Sequence, residues 1–427
     1  MITLAPGHMR RALLIAYHFP PLAGSSGIQR TLRLVQQLPE FGWEALVLTT
    51  HPRAYVRVAE DLLADVPPHT VVRRAFALDA ARHLAWRGRY FAFTARPDRW
   101  VSWRFDGVRQ GMRMIREFAP EVIWSTYPFA TAHLIGAELA RRSRLPWIAD
   151  FRDPMAQDGY PADPATWREF KRIEERAAIE AKRCVFTTPG ALRTYRARYP
   201  EAAPRMALVE NGYDEESFAQ AAKAATRSRS GARLTLLHSG ILYPQERDPT
   251  ALFTALARLA GSGVLSPADL CLRFRASAND EHIAVLANRH GVGGFIELAP
   301  PVPYRDALAE MLTVDALLLM QDEGCNDQIP AKAYEYLRAG RPVLGIADHA
   351  GDTAALLRDA GIDTIAKLES AEEIEKLLPS FLAAVRAGTA PVASASAAAG
   401  ASRRARTGQM AALFDAVARP FVGSGTA

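Results

Sequence analysis

Residues 316–340 read ALLLM QDEGCNDQIP AKAYEYLRAG. The five apolar residues Ala316–Met320 predict a strand buried on both faces, because a half-exposed strand would alternate apolar and polar side chains. A helix is expected after the polar loop, with Pro330 at its first position and Gly340 just past its end. A buried strand, a polar loop and a helix in succession indicate a parallel α/β sheet.

Similar apolar runs, alternating with helical patterns, form two series along the chain. The runs are Ala12–Tyr17, Ala45–Thr50, Val122–Ser125, Trp147–Asp150, Cys184–Thr188 and Met206–Val209, then Leu234–His238, Cys271–Ala276, Phe295–Leu298, Ala316–Met320 and Val343–Ile346. We therefore predict an α/β protein with two doubly wound, parallel-sheet, Rossmann-like domains that face a cleft. Ligands of such sheets bind beyond the carboxyl ends of the strands, so the site is expected in that cleft.

The predicted domains are residues 1–215 and 216–400, separated around the polar, Ala-rich segment Ala219–Gly231. The Ala/Ser-rich segment Gly388–Ser402 is expected to be a flexible linker. Residues 401–427 are expected to form a C-terminal helix and tail that cross back to the N-terminal domain. The apolar stripe of that helix consists of Met410, Leu413, Phe414 and Val417.

Length and composition narrow the class of protein. A chain of 427 residues suits two or three domains. Its three cysteines are far apart, which excludes a disulfide scaffold or a cysteine zinc site and favours a reducing compartment. No apolar stretch approaches the roughly 20 residues of a membrane span, and the first run is too short for a secretory signal. A cytoplasmic protein is expected, with peripheral contact on the inner face of the plasma membrane as a further expectation.

The basic residues are unevenly distributed. Residues 1–220 carry 31 Lys+Arg against 24 Asp+Glu, and Arg82–Arg116 alone has nine arginines and two acids. The same window contains the aromatic residues Trp86, Tyr90, Phe91, Phe93, Trp100, Trp103 and Phe105. Arginines interleaved with aromatics suit a phosphate-rich surface, either nucleic acid or lipid headgroups. The alternative is an Arg-rich outer helix whose tryptophans pack into the core.

The loop Phe19–Arg30 follows the first strand and leads into a helix expected to start near Gly27, with Ser25 or Ser26 as its cap. Gly24 and Gly27 would let backbone N–H groups approach an anion at the helix start. The loop is not G-x-G-x-x-G, and no acidic residue ends the second strand, so a dinucleotide site is disfavoured. A tight turn without a ligand is the alternative.

A second loop places Asp150, Arg152 and Asp153 at the end of the run that begins at Trp147. Two carboxylates and a guanidinium there serve either a site or a local ion pair, and Asp153 could simply begin a turn. His133 lies early in a predicted helix, where a structural role is expected.

In the loop and helix quoted first, Asp327 precedes the helix, and Lys332 and Glu335 lie three apart on one face. The helix start and Lys332 would attract phosphate, and Glu335 could accept hydrogen bonds from a diol such as ribose. An exposed helix with a Lys–Glu pair is the alternative.

After the first strand of the second series come Gly240 and Arg247, followed by Asp248 and Pro249 as the expected cap and first position of a helix.

Taken together, these loops resemble the retaining glycosyltransferases of family 4, which have the two-domain GT-B fold, from about Arg11 to Arg386. The matching segments are the Pro-rich loop Phe19–Gly27, the strand Trp147–Pro154 ending in Arg-Asp-Pro, the Asn-Gly-aromatic-Asp segment Asn211–Asp214, the glycine segment Ser239–Arg247, and an acid-x7-acid signature at Asp327 and Glu335. The Arg-Asp-Pro ending marks a branch often found in surface-polysaccharide assembly. Two positions depart from the family pattern: Asp327 stands for the usual Glu, and Arg247 for the usual Lys.

The resemblance implies a retaining glycosyltransferase of the hexosyltransferase type. Its donor would be a nucleotide-diphosphate sugar, with UDP favoured over GDP, and it would need no metal or other cofactor. Glu335 would hold the ribose, Arg247 and Lys332 the diphosphate, and Asp327 the sugar hydroxyls; Gly24, Gly27, Gly240 and Ile329 would complete the donor site. Asp150, Arg152 and Asp153 are positioning candidates only.

The implied acceptor is a saccharide or lipid-linked saccharide, bound by the first domain, in cell-surface polysaccharide biosynthesis. The sequence leaves two alternatives open: a nucleotide-sugar epimerase of the same fold, and a non-enzymatic nucleic-acid- or anion-binding protein. The second is less favoured because the Arg82–Arg116 window has no recognisable docking motif.

Overall fold

The structure, a computed structural model, describes residues 9–23, 27–60, 62–225, 233–244 and 247–418. Gly24, Ser25, Ser26 and residues 226–231 of the expected separating segment lie outside the described residues. The chain divides into two compact units, one of Met1–Glu210 with Arg406–Ala427 and one of Asn211–Ala405.

The first unit is built on a seven-stranded parallel sheet in the order β3-β2-β1-β4-β5-β6-β7. Its elements are β1 (Arg10–Ile15), α1 (Gly27–Gln37), β2 (Trp43–Thr50), β3 (Val71–Ala75), α2 (Ala80–His83), α3 (Trp103–Phe118), β4 (Val122–Thr126), α4 (Ala130–Ser143), β5 (Trp147–Arg152), α5 (Pro164–Glu180), β6 (Arg183–Phe186), α6 (Pro189–Arg198) and β7 (Met206–Leu208). The strand order reverses between β1 and β4, which opens a crevice at their carboxyl ends.

The second unit has a six-stranded parallel sheet in the order β10-β9-β8-β11-β12-β13. Its elements are α7 (Glu215–Ala224), β8 (Leu234–Ser239), α8 (Thr250–Gly261), β9 (Leu270–Arg275), α9 (Asp280–Arg289), β10 (Ile296–Ala299), α10 (Tyr304–Thr313), β11 (Ala316–Gln321), α11 (Ala331–Ala339), β12 (Val343–Ala347), α12 (Asp352–Asp359), β13 (Ile365–Ala366), α13 (Ala371–Ala387) and α14 (Ala395–Gly400). Here the order reverses between β8 and β11. The predicted fold class, two doubly wound parallel sheets, is confirmed.

Several local predictions need correction. The segment expected to be a flexible linker contains α14, capped by the Ser394 side chain. It is also tied to the start of the second unit, because Tyr213 N donates to Ala401 O at 3.1 Å. Pro330 and Pro249 each precede their helix by one residue instead of occupying its first position.

The last helix, α15 (Arg403–Val417), belongs with the first unit from Arg406 onward. Phe414 packs edge-on against Trp43 with ring centroids 5.4 Å apart. Trp43 Nε1 donates to the Asp415 carboxylate at 3.1 Å, and Thr407 Oγ1 donates to Gln37 Oε1 at 3.0 Å. The helix therefore completes the core beside β2 and α1.

Helices α3 and α4 approach each other closely through two glycines on α3. A Cβ atom at Gly107 would lie 2.7 Å from Ile135 Cδ1, and one at Gly111 would lie 2.4 Å from Leu139 Cδ1. Side chains one helical turn apart share a face, so the pair forms a flat strip that receives α4.

We predict that Gly111→Val destabilises the first unit by about 1–3 kcal/mol, because added methyl groups overpack this contact. Denaturant unfolding followed by tryptophan fluorescence measures it, since all seven tryptophans lie in the first unit. If the added valine clashes with Leu139, the double variant Gly111→Val/Leu139→Ala loses less unfolding free energy than the two single variants lose in sum. Strict additivity would contradict the account.

Candidate active site

Several polar side chains of the second unit lie near the carboxyl ends of β8 and β11. The chain leaves β8 through Gly240, whose φ of +97° few other residues adopt. A Cβ atom there would lie 3.4 Å from Lys332 Nζ, in the first turn of α11. Glycine thus supplies the turn and also keeps the loop backbone open beside the lysine ammonium.

Lys332 is held by a buried histidine at the end of β8. His238 Nδ1 lies 3.2 Å from the Leu318 carbonyl oxygen, which can only accept, so Nδ1 carries the proton. His238 Nε2, 3.0 Å from Lys332 Nζ, is then the acceptor for the lysine. Burial, Lys332 and Arg247 hold the pKa of His238 well below its usual value, so the imidazole stays neutral.

Two cationic side chains lie near each other at this edge. Arg247 donates through Nε and Nη2 to Gln321 Oε1, each at 3.3 Å, and its guanidinium lies 5.3 Å from the Tyr243 ring centroid. Burial and the charge of Arg247 lower the pKa of Lys332 from 10.5 to about 7, with Glu335 opposing the shift. No ion pair to Lys332 is formed within the part of the chain that the structure describes, and two cationic groups so close together suit an anionic ligand.

Glu335 lies one turn further along α11, partly buried, and accepts a hydrogen bond from the Tyr304 hydroxyl at 2.8 Å. Burial raises the pKa of its carboxyl group. Asp327 is exposed in the loop before α11, as expected, whereas the Ile329 side chain is packed in the apolar core of the unit. The structure thus brings together four of the predicted residues: Gly240, Arg247, Lys332 and Glu335.

In the first unit, Asp150 is fully buried at the end of β5. Arg30 of α1 donates to both of its oxygens at 2.9 Å, and Thr126 Oγ1 donates to Oδ2 at 2.9 Å. The other donors of Arg30 reach the carbonyl oxygens of Val209 and Glu210 at 3.1 and 3.2 Å. Asp150 therefore forms the local ion pair that the sequence left as an alternative.

Gly27, at the start of α1, lies against His18 and Arg152. A Cβ atom at Gly27 would come within 2.2 Å of His18 Nδ1 and 2.7 Å of Arg152 Nη1. Arg152 has a φ of +59° at a bulge in β5, which turns its side chain away from the regular strand direction. Burial and the nearby Arg152 lower the pKa of His18 to about 3. The adjacent Asp153 is exposed.

A buried carboxylate supports the chain that follows β5. Glu174 on α5 accepts from Ala156 N at 3.0 Å, Arg198 Nη1 at 2.7 Å and Tyr199 OH at 2.8 Å, and also from Tyr195 OH.

His133 has the structural place expected of it: it is buried, and its Nδ1 lies 2.8 Å from Ser125 Oγ.

Sequence reasoning assigned no role to His18, Arg30, His238, Tyr304 or Glu174. His18 directly follows an apolar run that becomes a strand, and His238 ends another such run. This position at the end of a strand is the sequence signal that could have indicated both histidines. Within the described ranges, no group of three or more His, Cys, Asp or Glu side chains is placed to hold a metal ion. In the same part of the chain, no helix is long and apolar enough to cross a membrane.

Most of the first unit matches a known protein family. Residues 26–212 match the family described as "Glycosyl transferase 4-like domain", which confirms the resemblance to glycosyltransferase family 4 over that part of the chain. The two doubly wound parallel sheets have the architecture of the GT-B fold. Comparison with curated proteins gives no match.

Solved structures share the fold along almost the whole chain. Sucrose-phosphate synthase from Thermosynechococcus elongatus is 14% identical with a TM-score of 0.65, covering 95% of this chain and 98% of its own. HepE of Anabaena in complex with UDP is 14% identical with a TM-score of 0.65, covering 96% and 100%. A glycosyltransferase from Rickettsia africae is 9% identical with a TM-score of 0.59, covering 96% and 99%. At such low identity, these similarities show the fold alone.

We predict that Lys332 titrates near pH 7 in the unliganded protein, because burial and Arg247 disfavour its charged form. Between about pH 7 and 10.5 the folded chain then binds fewer protons than the unfolded chain, so this group makes the unfolding free energy rise with pH. NMR of chains labelled with 13C-lysine measures it, with Lys332→Arg to assign the resonance. A Lys332 midpoint at or above pH 10 would show the prediction to be wrong.

Proposed function

We propose that this protein is a glycosyltransferase. It transfers a sugar from a UDP-sugar to a saccharide or lipid-linked saccharide, with retention, in cell-surface polysaccharide biosynthesis. The observation that carries the proposal is the position of Lys332, held by His238 beside Gly240 and near Arg247, one turn before Glu335 on α11. This arrangement offers positive charge for a diphosphate. A carboxylate for a diol follows three residues later on the same helix face, where Cβ atoms lie about 5–6 Å apart. UDP is favoured over GDP, and the HepE structures with UDP and UDP-glucose support that choice by analogy.

In the proposed site, Lys332 and Arg247 bind the diphosphate. An anion beside Lys332 raises its pKa, so the bound lysine is protonated at neutral pH. Negative charge grows on the leaving diphosphate as the glycosidic bond breaks, and the two cations stabilise it most at that point. This charge stabilisation comes from protein side chains, which is consistent with a reaction that needs no metal.

Glu335 accepts hydrogen bonds from the ribose hydroxyls. The Tyr304 hydroxyl, which donates to Glu335 Oε1 at 2.8 Å, marks where such a donor group lies. Asp327, exposed in the preceding loop, binds hydroxyls of the transferred sugar. Ile329 contributes through its backbone, because its side chain is buried.

The first unit binds the acceptor. Gly24 and Gly27 keep the donor-binding role that the family resemblance implies for them. Arg152 and Asp153 position the reacting groups. Asp150 acts on them through Arg30 and is not a general base, since both of its oxygens already accept hydrogen bonds. Retention follows from the family resemblance, with attack on the same face from which the diphosphate leaves.

The direct test is donor binding followed by product analysis. Thermal unfolding with UDP-, GDP-, ADP- and dTDP-sugars should show the largest stabilisation with a UDP-sugar. NMR of the product formed with that donor should show the donor's own anomeric configuration. A larger shift with a GDP-sugar would reject the base assignment, an inverted product would reject retention, and conversion of the donor to an epimer without acceptor would favour an epimerase.

We predict that Glu335→Ala costs about 2–3 kcal/mol in donor use, a loss of about 30–150-fold, because hydrogen bonds to a charged partner are worth about 1.5–3 kcal/mol each. Lys332→Ala and Arg247→Ala should lower turnover more than donor affinity, because their partner gains charge in the transition state. Steady-state kinetics and UDP titration measure both.

Matched controls lie on α13 of the same unit. Glu372→Ala and Lys376→Ala remove the same groups from exposed positions and should leave kinetics unchanged. Wild-type affinity and turnover in the three site variants would refute the site, and equal losses in the controls would point to a general effect of charge.

A further inference from the structure

The first unit exposes an aromatic loop, residues 84–95 between α2 and α3. Trp86, Phe91 and Phe93 are 79%, 74% and 71% exposed. The loop is nonetheless structured: Trp86 and Arg89 exchange backbone hydrogen bonds of 2.7 and 3.0 Å across a turn, and the rings of Phe91 and Phe93 stack with centroids 5.7 Å apart. Such exposure of three large apolar rings is costly in water and indicates a binding surface.

Core packing does not account for these rings. Trp100 and Trp103 of the same basic window are buried, so the reading as core tryptophans is correct for those two residues alone. The base of the aromatic loop is anchored, since Ala80 N donates to Arg99 O at 2.9 Å and Arg99 Nε donates to Asp79 at 2.8 Å. The three exposed rings therefore project from a fixed base.

Helix α3, which follows the loop, carries an arginine-rich outer face. A groove of about 680 Å³ lies on this face. It is lined by arginines of α3 and α4 and by Phe105 and Met112. Arg109 and Arg142 pair with Asp106 and Glu138. Arg104, Arg113 and Arg116 have no acidic partner among the described residues, so this face keeps a net positive charge.

We propose that the aromatic loop and the arginine face of α3 dock the first unit on an anionic lipid surface. Tryptophan favours the boundary between headgroups and acyl chains, and phenylalanine, which has no polar group, favours the acyl region. Arginine side chains without an ion pair are attracted to headgroup phosphates. The inference concerns where the protein binds and does not rest on the transfer reaction proposed above.

Vesicle flotation tests this with phosphatidylcholine alone and with added phosphatidylglycerol. The wild type should float with the anionic vesicles at low ionic strength and be released as salt shortens the screening length. Equal flotation with both vesicles, flotation with neither, or retention by nucleic acid in place of vesicles would each overturn the proposal.

Two sets of variants separate the aromatic loop from the arginine face. Trp86→Ala/Phe91→Ala/Phe93→Ala should reduce the partition coefficient about tenfold or more, because the variant no longer has three aromatic rings to bury in the lipid. Its control removes exposed apolar side chains elsewhere: Ile179→Ala/Val264→Ala/Val285→Ala.

Arg113→Gln/Arg116→Gln should reduce partitioning about 25-fold, at roughly fivefold per basic residue near the surface. The control Arg289→Gln/Lys376→Gln makes the same charge change on exposed residues of the second unit. Equal effects of the paired variants and controls would overturn the proposal. Unchanged circular dichroism establishes that each variant is folded.

Discussion

The Asp150 carboxylate lies in the first unit without contact with solvent, and the arrangement around it follows from that constraint. An unpaired buried carboxylate is very costly, so both oxygens must accept hydrogen bonds. Arg30 and Thr126 supply them, and the same guanidinium reaches the carbonyl oxygens at the end of β7. One ion pair thereby fixes α1 relative to three strands, and with α1 the position of Gly27 against His18 and Arg152.

The second unit uses a different device at the equivalent edge of its sheet. There the buried group is a neutral imidazole, whose protonated nitrogen is committed to a backbone carbonyl, leaving the other to accept from Lys332. A neutral acceptor orients the lysine but does not neutralise its charge. A carboxylate at that position would neutralise it. Among the described residues the lysine is thus oriented without an acidic partner, which is the electrostatic condition for binding an anion.

Short apolar runs predicted most strands because a strand buried on both faces needs continuous apolar side chains. The prediction missed β3, where two arginines occupy an edge strand, and β13, which has two residues. That Lys332, Glu335, Arg247 and Gly240 lie near the same sheet edge was predictable, because each belongs to the loop or helix that comes after a strand. Arg30 and His238 were not, because their partners are 120 and 94 residues away, and no local pattern encodes such a pairing.

The chain leaves the first unit at Glu210 and returns to it at Arg406. The side of Trp43 that Phe414 covers therefore waits until the whole second unit has been synthesised. At about 5–20 residues per second, that interval lasts about 10–40 s on the ribosome. The second unit, being continuous in the chain, can fold during this time. The first keeps an apolar surface open to chaperones until its closing helix emerges.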